Sequence, residues 1–106
     1  MEKKKLPSAY RRFGEAHPRI IQAYEALGDA TLTDGPLDRR TAELVKLGIA
    51  IGARLEGAVH AHVRRARDAG ASAEDIRHTI RLATTTVGFP TMMSALSWAD
   101  DVLEVK

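Results

Sequence analysis

The residues of this chain best equipped for proton chemistry are Glu43, His60 and His62. Imidazole is the one side chain whose ordinary titration falls near neutrality, and a neighbouring carboxylate fixes which ring nitrogen carries the proton. The two histidines stand one residue apart in "EGAVHAHVRRARDAG", residues 56–70. "HAH" resembles a metal-ligand pair on the page. On an α-helix, however, successive residues turn by roughly 100°, so His60 and His62 point about 200° apart. They cannot share an ion on an unbroken helix, and no metal site is expected from them.

Helical spacing separates the two further. Among the residues three, four and seven positions from His62 are Leu55, Ala58, Val59, Ala66 and Ala69, an apolar stripe that predicts burial. A buried imidazole needs polar partners for its ring nitrogens. It is therefore either a core histidine bonded to a carbonyl or threonine, or an acid–base group in a mostly apolar pocket. Among the equivalent neighbours of His60 are Glu56, Gly57, Arg64 and Arg67, a polar face on which a solvated histidine is expected beside Glu56. Glu43 is the natural carboxylate for His62, because the helices carrying them are joined by a few residues and should pack antiparallel. The alternative for Glu43 is a surface pairing with Arg39 or Arg40 within one turn. Arg64, Arg65 and Arg67 read as a solvated face or as interchain ion-pair partners.

Helices must position these residues, and the pattern predicts five or six with no strand. "HPRIIQAYEALGDATL" carries Ile20, Ala23, Tyr24 and Leu27 at helical spacing after a helical turn at "SAYRRF", with Gly28 as the expected stop. Following the turn-rich "TLTDGPLD", Asp38 is placed to cap "RRTAELVKLGIAIGA", apolar over most of its circumference and so expected to be central or buried between subunits. The histidine helix should end near Ala69, with Gly70 left-handed. "SAED" then forms a capping box, Ser72 with Asp75, for a helix facing Ile76, Ile80, Ala83 and Val87 inward, weakened by the threonines at 84–86. "GFP" breaks the chain, Pro90 suits a first helical turn, and Met92, Leu96, Ala99 and Leu103 stripe the last helix.

With 106 residues the chain is expected to form a single domain, 1–106, with 1–15 as a loosely ordered arm. Apolar residues make up 44% and charged residues 28%, values typical of a globular domain. Only 5% are aromatic, so aliphatic and alanine packing must build the core. A net charge of +2 gives little reason to expect a nucleic-acid partner. No apolar run follows the charged start, and the longest apolar stretch is too short for a membrane span, so a cytoplasmic protein with no membrane partner is expected. There is no cysteine, which excludes disulfides, thiolate nucleophiles and thiolate metal sites within these residues.

The run "LDRRTAELVKLGIAIGARLEGAVHAHVRRARDAGASAEDIRHTIRLA", followed by "VGFP", resembles the carboxymuconolactone decarboxylase and alkyl hydroperoxidase D family over the last two-thirds of the chain. The markers are an acidic residue ahead of an apolar helix, a histidine helix ending "H…A…AG", a capped acidic turn and a Gly-aromatic-Pro break. The resemblance implies an all-α fold that assembles as a homotrimer or homohexamer, with the histidine helix near subunit contacts. In the peroxidase branch a glutamate, a Cys-x-x-Cys pair and a histidine act together. Laid onto this sequence they fall on Glu43, Leu55, Ala58 and His62, so both cysteines are replaced and a thiol peroxidase is not expected.

The decarboxylase branch works without that pair and resembles this sequence in "HVRRARDAG" and "GFP". It implies cofactor-free loss of CO₂ from an unsaturated lactone acid, with His62 as proton carrier, Glu43 orienting it, and Leu55 and Ala58 as candidate pocket residues. One of Arg39, Arg40 or Arg54 would hold the substrate carboxylate. An acidic residue that this branch carries one turn before the histidine is replaced by Ala58, with Glu56 off the face. The competing expectation is a non-catalytic oligomeric binding or structural protein that retains the fold.

Overall fold

The computed structural model describes residues 7–104, and every regular element among them is helical. Contacts divide the chain into two compact units, one ending at Pro36 and the other starting at Leu37.

The first unit is a helical hairpin of α1 (Ser8–Ala16) and α2 (Pro18–Thr33). His17 leaves helical geometry at the junction, its ring 4.9 Å from that of Phe13, and Pro18 starts α2 where no amide donor is needed. The Tyr10 hydroxyl donates to Glu25 Oε2 at 2.7 Å, tying the two helices together. The helical turn expected at "SAYRRF" is the full helix α1. Residues 1–6 of the expected N-terminal arm lie outside the described residues. Gly28 does not stop α2, which runs one and a half turns further. A single glycine costs a helix only about 1 kcal/mol. The Thr31 and Thr33 hydroxyls bond back to the carbonyls of Gly28 and Asp29, and the chain turns only at the Asp34-Gly35-Pro36 sequence.

The second unit contains α3 (Arg39–Gly52), α4 (Glu56–Asp68), α5 (Ala73–Arg81), a 3₁₀ turn (Leu82–Thr85) and α6 (Phe89–Leu103). Asp38 caps α3 by accepting from the Thr41 amide at 2.7 Å. Gly70 ends α4 at φ +100°, and Ser72 and Asp75 form the reciprocal capping box at 2.9 Å in each direction. The threonine run coincides with the change from α to 3₁₀ geometry, consistent with the poor helix propensity of β-branched residues. Leu47, Ile51, Val59, Val63, Ile76 and Ile80 form the core with Ala66, Ala95 and Ala99, all nine essentially without solvent contact. Alanines on α4 and α6 allow those helices to approach closely, which is how so few aromatics suffice. Helix α3 is only partly central: Leu47, Ala50 and Ile51 are buried, whereas Val45 and Ile49 face solvent.

Candidate functional site

Glu43 and His62 meet across the α3–α4 pair. His62 Nδ1 lies 2.9 Å from Glu43 Oε1. The Glu43 residue is 1% exposed, the only charged residue among the buried ones described, and the His62 side chain retains 13% of its accessible surface. Of the two environments open to Glu43 in the sequence, the interior is the one it occupies. The first turn of α3 turns Arg39 and Arg40 outward instead, Arg40 acting electrostatically on Asp75.

A carboxylate can only accept, so Nδ1 carries the proton and donates it to Glu43, which leaves Nε2 as the free basic nitrogen of a neutral ring. Burial lowers the His62 pKa below its ordinary value, outweighing the opposite pull of the Glu43 hydrogen bond and charge. The positive charges of Lys46 and Arg65 push in the same direction as burial. At neutral pH the site therefore holds an oriented, uncharged imidazole against a buried carboxylate, with two cations close enough to be felt.

Neither cation is expected at this site from the sequence reading, which puts Arg65 on a solvated or interchain face, although spacing could have found both. Lys46 is three residues after Glu43 and Arg65 three after His62, each one helical turn away on the same side. By contrast Arg54, in the left-handed region at φ 59°, bonds through Nε to Thr91 Oγ1 at 3.2 Å.

Leu55 is the N-cap of α4 and is exposed, while Ala58 in the first turn is half-buried. A cysteine pair here would sit at a helix N-terminus, where thiolates are stabilised. Leucine and alanine supply no charge for that field to act on. A groove of about 390 Å³ opens elsewhere on this unit, lined by Thr41, Leu44, Gly48, Thr79, Leu82 and Val87 among others. Neither Leu55, Ala58, Glu43 nor His62 lines it.

His60 is not simply solvated beside Glu56. Its Nε2 lies 3.0 Å from Asp101 Oδ2 on α6, and the ring is three-quarters covered. Asp101 is 41 positions away in sequence, beyond the reach of local spacing. Of the arginine face, Arg67 bonds the Ala71 carbonyl at 3.2 Å, which secures the turn after α4.

A family model described as the carboxymuconolactone decarboxylase family matches residues 18–101. An uncharacterised protein of Haemophilus influenzae is 35% identical over 61 residues, 58% of this chain and 54% of its own length. Uncharacterized protein 4 in the cox locus of Paracoccus denitrificans is 33% identical over 81 residues, 74% of this chain and 73% of its own. The chain thus spans little more than half the length of the Haemophilus protein. Among solved structures, an apo carboxymuconolactone decarboxylase family protein from Legionella pneumophila superposes with a TM-score of 0.77 at 24% identity, covering 92% of this chain and 87% of that one. That likeness establishes the fold.

Proposed function

The chain belongs to the carboxymuconolactone decarboxylase family, and on that premise we propose cofactor-free acid–base chemistry, decarboxylase-like, on a small carboxylated or lactone compound. The observation that carries the reading is the hydrogen bond from His62 to the buried Glu43. The bond holds Nε2 free to accept or deliver a proton at a carbon centre, and the depressed pKa keeps it basic yet uncharged near pH 7. Lys46 and Arg65 take the part of carboxylate holder in place of Arg39, Arg40 or Arg54, since their charges are the ones felt at His62. Loss of CO₂ leaves electron density on carbon, which a nearby cation stabilises; Nε2 takes up a proton from the substrate acid or from water, delivers it to that carbon and so returns to its neutral form. Thiol peroxidation is closed to these residues, because no cysteine is present.

Release of CO₂ from a panel of unsaturated lactone acids, by the wild type and His62→Gln, tests the reading. Turnover should fall by 10²-fold or more, the usual worth of a general acid–base group. Unchanged rates in the variant would exclude His62 as the proton carrier.

A second reading, a non-catalytic oligomeric binding protein, is favoured by one observation: the 390 Å³ groove includes neither His62 nor Glu43. Small-molecule binding unaffected by His62→Gln but lost on filling the groove, as with Gly48→Leu, would support it. Self-association as a trimer or hexamer and a cytoplasmic location belong to the same proposal. Exposed Ile20, Tyr24 and Leu27 on α2 support the former. No helix among the described residues is long and apolar enough to cross a membrane.

A further inference from the structure

We propose that Glu56, His60 and Asp101 form a binding site for a divalent transition ion of the zinc type, clipping the start of α4 to α6. The site is separate from the Glu43–His62 pair and independent of the function assigned to it. One donor atom from each residue lies within 4.8 Å of the other two. Glu56 and His60 are spaced i, i+4 on α4, so one helix face presents both, the arrangement that helical metal sites use. Asp101 comes from the facing helix, already 3.0 Å from His60 Nε2. That separation is close to the roughly 3.3 Å between donors around a tetrahedral ion with bonds of about 2.0 Å. The exposed Glu56 carboxylate closes the remainder by rotation of its own side chain.

Charge supplies a second argument. Asp100 and Glu104, the other carboxylates on this side of α6, are both held by Arg77 at 3.1 Å. Among the described residues no lysine or arginine is ion-paired with Asp101 or Glu56. Burial and the neighbouring Arg65 hold the pKa of Arg64, one turn beyond His60, below its ordinary value, against the pull of Asp68. Two carboxylates are thus brought together with only an imidazole between them, and a divalent cation neutralises both. The cluster also borders an open groove of about 570 Å³ lined by Met93, Leu96, Ser97, Asp100, Asp101 and Glu104, which contributes no cation. One imidazole with two carboxylates suits zinc, cobalt or nickel, whereas calcium and magnesium prefer all-oxygen ligands. Water completes the coordination from the exposed side.

Zinc alone, titrated calorimetrically into the chain, tests the proposal. The wild type should bind one ion per chain, and excess magnesium should not compete. Affinity should fall about tenfold or more in His60→Ala and in Asp101→Asn. It should be unchanged in His78→Ala, which removes a histidine from another helix. The wild type should melt higher with zinc and the two ligand variants should not. If His60→Ala fails to fold by circular dichroism, the near-isosteric Asp101→Asn carries the test. Equal affinity in the ligand variants, or no saturable zinc binding by the wild type, would overturn the proposal.

Discussion

At the scale of single residues, the chemistry proposed for this chain turns on one hydrogen bond, from His62 to Glu43. Glu43 both orients the His62 ring and raises its basicity, while burial acts against the charged ring and wins. In Glu43→Gln the amide oxygen still accepts from Nδ1 but the negative charge is gone. NMR titration should then show His62 protonating at lower pH than in the wild type, and a rise would contradict the assigned roles. The same balance makes stability pH-dependent. The folded imidazole titrates below the 6.5 of its unfolded counterpart, so the unfolded chain takes up the proton first. This contribution is complete above about pH 6.5, declines as pH falls through the window between the two values, and levels off below it. The loss of urea resistance between pH 7.5 and 5 should accordingly be smaller in His62→Gln. His62 was legible as the more buried histidine because its stripe is local. The burial of Glu43 was not, since the same residue could have reached an arginine one turn away.

At the scale of elements, local chemistry sets most boundaries. Asp38, Gly70 and the Ser72–Asp75 box were readable because a cap is a contact between residues two or three apart. Ser72→Ala should cost about 1 kcal/mol in urea unfolding. The full length of α2 was not readable from Gly28, because the hydroxyl bonds that continue the helix depend on a helix already formed. Arg54 marks a conformational cost at the turn into α4. Its φ of 59° is unfavourable for any residue with a Cβ. Arg54→Gly and Arg54→Ala both lose the bond to Thr91, and only glycine relieves the backbone. Glycine should therefore be the more stable of the two by about 1 kcal/mol, and equal midpoints would refute the strain.

At the scale of the whole molecule, the all-helical family fold was legible from periodicity, the capping pattern and the order of the motifs. Pairings between distant helices were not, as His60 with Asp101 shows, because nothing local encodes which faces meet. Ile20, Tyr24 and Leu27 expose over half their surface along one side of α2, an apolar stripe that a second copy would cover. Light scattering should report an oligomer whose mass falls in Tyr24→Glu, whereas a monomeric wild type would contradict self-association. At the proposed Glu43–His62 site, Lys46→Met should raise KM for a carboxylated substrate about tenfold, the worth of one charge-assisted contact. The central claim is that neutral His62, held by Glu43, moves the proton. It is tested most directly by the pH dependence of kcat/KM for lactone-acid turnover, measured beside the NMR titration of the His62 ring. The profile should show a limb whose midpoint matches that titration, below 6.5, and which disappears in His62→Gln. A profile with the same midpoint and amplitude in wild type and variant would contradict it.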